Sequence, residues 1–394
     1  MNDVQPLSPR HANRWLLALL PLVLLALLVI AFLALNPLRS FQGAFPPLEQ
    51  LSVQRVVFPA AGTIRLEVIN NGPDPVTIAQ VAVNNAYWDY TISPGHTLGR
   101  LQTATIDIPY DWVAGEPLPM HLVTSTGLTF PALAAVAVKS APFNGRTLLS
   151  YALLGIYVGI VPVALGMLWY PFMRRVDRKW MNAVLALTIG LLIFLFVDTV
   201  LEALERAGQA PAIFQGVPVV IFGALLSLGV LLAVGRRKGE QTPMRVAALI
   251  ALGIGLHNLG EGLAIGAAFA TGAAALGSFL VVGFTLHNIT EGVGIVSPLT
   301  RQAQPPLRVF LLLAVLAGGP AILGTWIGGL AFSPLVAAVF LSLGAGAILQ
   351  VIWEVGRLLT RDARRDGGSA FTWLNFGGAA LGVLIMYLTA FLVK

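Results

Sequence analysis

Leu256-His257-Asn258-Leu259-Gly260-Glu261-Gly262 and Leu286-His287-Asn288-Ile289-Thr290-Glu291-Gly292 repeat one pattern, His-Asn-x-x-Glu-Gly, each near the middle of a long apolar run. The runs cover 244–271 and 273–299, each longer than the roughly 20 residues a helix needs to cross a bilayer. Only a short turn around Gly272 separates them, so the spacing predicts a helical hairpin. On a helix His257 and Glu261 are four apart and Asn258 and Glu261 three apart, so the three adjoin on one face. His287, Asn288 and Glu291 repeat that arrangement. Antiparallel arms then bring two imidazoles, two carboxylates and two amide oxygens together near the bilayer centre.

Working outward, seven more apolar stretches are long enough to span, near 15–36, 147–172, 180–206, 213–235, 307–332, 334–360 and 370–393. Composition agrees. Of 394 residues 57% are hydrophobic and 11% charged, against about a quarter charged in a soluble domain, so the main solvent is lipid. The net charge of +6 does not read as nucleic-acid binding, because the basic residues cluster in alternate short loops. Arg174 through Lys179, Arg236 through Arg245, Arg301 through Arg308 and Arg357 through Arg365 fall on one side; 207–212, 271–274 and 331–335 carry no Lys or Arg. Single basic residues, Arg39, Arg146 and Arg206, flank the other side. By the positive-inside rule, Arg10 and Arg14 place the N-terminus in the cytoplasm and the C-terminus outside. The absence of cysteine excludes disulfides, thiolate metal sites and a cysteine nucleophile.

The apolar stretch from Trp15 to Leu35 exceeds the 7–15 residues usual in a signal-peptide core, so an uncleaved anchor is predicted. Residues 41–145 differ in kind. Thr63 to Ile69 alternates polar and apolar side chains, the mark of a half-buried strand. Asn70 to Pro75 is a turn cluster, and Val76–Val83, Thr103–Ile108 and His121–Thr124 read as further strands. The expected architecture is an all-α polytopic membrane protein: a cytoplasmic tail (1–14), a transmembrane anchor (15–36), a small extracytoplasmic β-sandwich of immunoglobulin-like kind (41–145) and an eight-span unit (147–394).

A charge at mid-bilayer costs at least roughly 2.5–3.5 kcal/mol on insertion scales. Neither motif-bearing helix carries a Lys or Arg near its Glu, so a bound cation is the simplest compensation, with packing histidines as the bland alternative. The imidazole, carboxylate and amide set suits a borderline divalent cation such as Zn²⁺ or Fe²⁺ and can also hold Mn²⁺; for a transported ion Zn²⁺ is the first expectation, with Fe²⁺, Mn²⁺, Co²⁺ or Cd²⁺ beside it. The small residues Gly253, Gly255, Gly260, Gly262, Gly266 and Gly292 serve close helix packing, or let the helices move around an ion. Asp198, Glu202 and Glu354 are candidates for an ion path; alternatively Glu202 and Glu205 reach outer headgroups and Glu354 inner ones beside Arg357. In the β region His96, Asp111 and His121 are candidate capture ligands, or ordinary surface residues.

The doubled His-Asn-x-x-Glu-Gly, within eight spans over 147–394, resembles the Zrt/Irt-like (ZIP) family of divalent metal-ion transporters. The resemblance implies that His257, Asn258, Glu261, His287, Asn288 and Glu291 form the metal centre, with the ion as transported substrate and no resident cofactor. It also implies a homodimer, uptake toward the cytoplasm across a cell membrane, here expected to be prokaryotic, and an elevator-like movement of the site-bearing helices against a scaffold. The chain departs from the family at Gly260 and Thr290, where many members have Pro, and at Gly319, where members with a two-metal centre have Glu before Pro. The family's His-rich loop has no counterpart between Arg236 and Arg245. Residues 1–145 lie outside the resemblance. Two other classes compete. An intramembrane metal-dependent enzyme would need an open coordination position, and no His-Glu-x-x-His is present. A metal-sensing membrane protein would need an output domain, and the expected inner loops are too short for one.

Overall fold

The structure is a computed structural model that describes residues 12–35, 47–134, 136–235, 242–271, 273–301, 304–365 and 367–393. The chain divides into two units, Met1–Leu48 and Glu49–Lys394. In the first, α1 (Ala12–Leu35) is helical across the expected anchor, with an apolar stretch Leu19–Leu35 shorter than the spans described below. Most of the expected tail, 1–14, lies outside the described residues.

The second unit opens with nine strands: β1 (Leu51–Ala60), β2 (Thr63–Asn70), β3 (Val76–Val83), β4 (Ala86–Trp88), β5 (Thr91–Ser93), β6 (Thr97–Leu98), β7 (Thr103–Pro109), β8 (Leu118–Thr124) and β9 (Thr129–Ala134). They form two antiparallel sheets, ordered β1-β2-β7-β5 and β4-β3-β8-β9, with β6 against β3. Alternation in β2 buries Ile64, Leu66 and Val68. These pack with Ile106 and Ile108 of β7 against Ile78, Val81, Met120 and Leu122 of the other sheet. On the outer face Arg65 pairs with Asp107, directly opposite in register, at 2.6 and 2.9 Å, and that bond raises the guanidinium pKa further. At the Asn70–Pro75 turn, buried Asn70 donates to the carbonyls of Asp74 and Leu98 and accepts from the Gly72 N–H.

Eight helical segments long and apolar enough to cross a membrane follow among the described residues. The first is broken: α2 (Gly145–Gly155), a π turn at Ile156–Ile160, α3 (Val161–Met167) and the short α4 (Tyr170–Met173). Then come α5 (Arg178–Gln209), α6 (Gly216–Gly235), α7 (Pro243–Ala270), α8 (Ala274–Val296), a second broken segment, α9 (Leu307–Gly318) and α10 (Pro320–Ala331), and last α11 (Pro334–Arg365) and α12 (Trp373–Val393). They coincide with the eight runs expected from apolar length, α11 extending further, to Arg365. Asn144 caps α2 by accepting from the Thr147 N–H, and Thr242 caps α7 by accepting from that of Arg245. Gly272, the expected hairpin turn, and the basic cluster 236–241 lie outside the described residues.

Burial ranks the helices. In the most apolar stretch of α7, 78% of residues are buried, against 17% for α12, so α7 is the central helix. It packs on α8, α9 and α10, while α8 packs on α3; α5 packs on α11 and α12, and α6 on α11. The two groups meet mainly where α7 crosses α11. Glycine permits the closest approaches. A Cβ at Gly262 would lie 2.2 Å from the Ala321 carbonyl oxygen, and one at Gly292 would lie 2.1 Å from that of Val163.

Adding that methyl group should therefore be costly. Gly292→Ala should lower the thermal midpoint of the detergent-solubilised protein, at about 1–3 kcal/mol for overpacking. Gly229→Ala, at a helical position with nothing within 4 Å, should leave the midpoint level or slightly raised. Equal midpoints for both variants would contradict the packing described.

Candidate metal centre

The two motifs meet. His257, Asn258, Glu261, His287, Asn288 and Glu291 are each at most 7% exposed, and both asparagines are at 0%. Glu261 is the hub. Its Oε1 lies 3.0 Å from Nε2 of His257 and 2.5 Å from Nε2 of His287, and its Oε2 accepts from Asn288 Nδ2 at 3.1 Å. Across the pair, Asn258 Nδ2 donates to Glu291 Oε2 at 3.4 Å. The ring of His287 also meets Phe284 edge-on, with centroids 5.5 Å apart.

Each asparagine has a second acceptor, on a broken helix. Pro162 has no N–H to offer the Val158 carbonyl four residues earlier, which lies in the π turn; Asn288 Nδ2 donates to that carbonyl at 3.0 Å. Ala317 lies in the turn before the Gly319–Pro320 break, and Asn258 Nδ2 donates to its carbonyl at 3.0 Å. Each amide nitrogen thus faces two oxygens, which fixes its orientation, since a flipped amide would set oxygen against oxygen. Asn258 Oδ1, Asn288 Oδ1 and Glu291 Oε1 are buried without any hydrogen-bond partner. All three are acceptors, and a cation is what acceptors of this kind lack. His257, His287 and Glu291 present ligand atoms within 4.8 Å of one another, a group that can hold a metal ion. Imidazole nitrogen with carboxylate and amide oxygen suits a borderline divalent cation.

The centre lies between two unequal spaces. A cavity of about 540 Å³ runs from His287 along α5, α7 and α8 toward Thr271, with Asp198, Glu202 and Glu205 on its wall. Glu202 Oε1 is 3.4 Å from Arg206 Nη2, and the Arg206 guanidinium lies over Phe332. Toward the Pro243 end of α7 a void of about 10 Å³ lies beside His287 and Glu291, closed by Leu192, Ile250, Val351 and Val355 among others. That is room for about one water. The fold therefore brings Asp198 and Glu202 to the same cavity as the centre. Glu354 does not line it; buried on α11, it lies 3.9 Å from Arg357 Nη1.

One expectation is corrected. His96, Asp111 and His121 are not brought together as a ligand cluster, since the one group of three found among the described residues is in the centre. His96 Nδ1 is engaged by the Tyr90 hydroxyl and the Ile78 carbonyl. His121 stands opposite Pro131 within its sheet, and Asp111 follows β7 beside Gly62. The carbonyls of Val158 and Ala317 went unread in the sequence. The nearest signal there is a proline close by in each broken segment, Pro162 and Pro320.

No family model and no curated protein matches this chain. Among solved structures, the archaellum periplasmic stator protein FlaG from Sulfolobus acidocaldarius aligns with 22% of this chain and 99% of its own, at 14% identity and a TM-score of 0.20. That score is too low to bear on fold or function. The class is set by the molecule itself: a mostly helical, multi-pass membrane protein with a small antiparallel β domain and a buried His/Glu group of metal-binding type.

If the asparagines hold the broken helices, removing one should be felt in stability. Asn288→Leu strips a donor from both the Val158 carbonyl and Glu261, at about 1–3 kcal/mol per group left unbonded. Its thermal midpoint should fall below wild type; an unchanged or higher midpoint would refute the strut role.

Proposed function

We propose that this chain is a membrane transporter of divalent metal ions, Zn²⁺ foremost, in which His257, Asn258, Glu261, His287, Asn288 and Glu291 bind the ion as substrate. The observation that carries this reading is the set of three orphaned acceptor oxygens, Asn258 Oδ1, Asn288 Oδ1 and Glu291 Oε1, packed beside two imidazoles. A buried group that served only packing would have its acceptors matched by donors. The doubled motif and the eight apolar helical segments support kinship in kind with the ZIP transporters.

In this reading the large cavity is the mouth. Asp198 and Glu202 concentrate cations there, and the incoming ion replaces the hydrogen bonds that Glu261 receives from His257 and His287. Release requires the apolar plug at Ile250, Val351 and Val355 to part. The proposed motion carries α7, α8 and the two broken segments past α5, α6, α11 and α12, in the manner of an elevator. The ion moves toward the cytoplasm, and the protein works as a homodimer in a prokaryotic cell membrane, with α1 as an anchor and the β domain outside. No covalent chemistry is needed, so the chain is read as no enzyme.

Two measurements test this. In proteoliposomes, Glu261→Ala and Glu291→Ala should each abolish Zn²⁺ uptake while the purified proteins remain folded; wild-type rates in both would refute the assignment. Binding should also release protons, because the ion displaces them from imidazole and carboxylate ligands. Calorimetry in two buffers of different ionisation enthalpy should give different apparent heats of binding, and identical heats would remove the histidines from the ligand set.

A further inference from the structure

Arg206 stands where a fixed cation is least expected. It is in the last turn of α5 and on the wall of the cavity that reaches His287. Three of the described residues lining that cavity are acids, Asp198, Glu202 and Glu205, and Arg206 is the one Lys or Arg among them. A mouth built only to gather cations would carry no guanidinium, because a fixed positive charge repels the ion to be admitted.

Two contacts hold this side chain. Its Nη2 lies 3.4 Å from Oε1 of Glu202, one helical turn back, and its Cζ lies over the Phe332 ring, 5.8 Å from the centroid. An i,i+4 ion pair at a helix end is common and by itself contributes little to stability. Phe332 is the distinctive partner, because it belongs to the link between α10 and α11 and not to α5. The end of α10 that leads into this link is anchored. Arg55 of β1 donates to the Leu330 carbonyl at 2.8 Å, Trp326 Nε1 to the Leu148 carbonyl at 2.8 Å, and Thr325 Oγ1 to the Tyr151 carbonyl at 2.7 Å. The β domain and α2 thus steady a ring, the ring seats a guanidinium by its π face, and the guanidinium meets the Glu202 carboxylate. The hold on Glu202 is loose. Its distance exceeds the roughly 2.7–2.9 Å of a tight charged pair, and the two side chains are 29% and 31% exposed. Arg206 therefore has water to swing into, and the C-terminal carbonyls of α5 favour a cation there.

We propose that Arg206 is a tethered competitor cation at the mouth: seated on Phe332, it occupies Glu202 when no ion is present and yields only to a divalent one. The proposal rests on the transport function argued above and adds to it the residue that decides which charge class is admitted. A tethered group competes at an effective concentration of about millimolar. A monovalent ion brings Glu202 no more charge than the guanidinium does and no hydrogen bond. A divalent ion doubles the Coulomb attraction at equal distance, so it displaces the guanidinium where a monovalent ion does not.

The test uses the full chain in proteoliposomes, with Zn²⁺ as the probe and K⁺ exchanged for N-methylglucamine at constant ionic strength. Arg206→Gln should lower the half-saturating Zn²⁺ concentration about fivefold, as removal of one repelling charge from a charged cleft does. K⁺ should then slow its uptake, as it does not in wild type. Arg206→Lys keeps the charge and should stay near the wild-type value. Phe332→Leu unseats the guanidinium and should fall between wild type and Arg206→Gln; it carries the test if Arg206→Gln does not fold. A wild-type half-saturation in Arg206→Gln or in Phe332→Leu would overturn the proposal, and so would an Arg206→Lys that behaves like Arg206→Gln, since shape and not charge would then be at work. A second readout needs no transport. The chain has no cysteine, so Ala264→Cys on the cavity wall offers a single thiol. Adding Arg206→Gln should raise the rate of its modification by a cationic methanethiosulfonate, relative to a neutral one, about fivefold; an unchanged ratio would overturn the competitor role. Absence of Zn²⁺ uptake by wild type together with a raised ratio would sink the transporter reading and leave Arg206 as the charge filter of the cavity.

Discussion

The Glu261 carboxylate takes contacts from His257, His287 and Asn288 at once, and much of the helical unit is arranged to make that possible. An ionised carboxylate moved out of water carries an effective penalty of several kcal/mol even after relaxation. Hydrogen bonds to a charged group return about 1.5–3 kcal/mol each. Three donors on two helices are needed, so α7 and α8 must lie close and in register. Asn288 extends the tie to the Val158 carbonyl at the π turn, and Asn258 links Glu291 to the Ala317 carbonyl before Pro320. Two buried acids thereby fix where four membrane segments approach one another.

The glycine contacts follow from the same demand. Backbone carbonyls reach the asparagines only if α3 sits against α8 and α10 against α7 at distances that leave no room for a Cβ, as at Gly292 and Gly262. The opposite group, α5, α6, α11 and α12, contributes no residue of the His-Asn-Glu set. It supplies the acidic cavity wall from α5 and, with Leu192 of α5 and Val351 and Val355 of α11, most of the apolar plug that Ile250 of α7 completes. The centre is thus held on one group of helices and walled in part by the other, as the proposed sliding would need. The β domain is tied to the site-bearing group, since Arg55 of β1 donates to the Leu330 carbonyl at the end of α10 at 2.8 Å.

Much of this was legible in the sequence, and the failures have physical causes. Apolar length located all eight segments because lipid enforces it. The His-Asn-x-x-Glu-Gly repeat located the centre because helical spacing converts sequence into a face. The alternation in β2 was equally plain. β1 was not read, because register shifts after Val53 and Val57 break its period of two. β9 holds Pro131, which argues against a strand unless the strand lies at an edge, as this one does. The partners of the asparagines are backbone carbonyls 59 and 130 residues away in sequence, and no local pattern encodes such distances. His96 and His121 were named because histidine is a metal ligand by type, and only the fold could show that they stand apart.

The most direct measurement of the central claim is X-ray absorption at the zinc edge of the purified, Zn²⁺-loaded protein. The account predicts a coordination sphere of nitrogen and oxygen with the scattering signature of two imidazoles, reduced to one in His287→Ala. A sphere of oxygen alone, or two imidazoles that persist when His287 is removed, would contradict it.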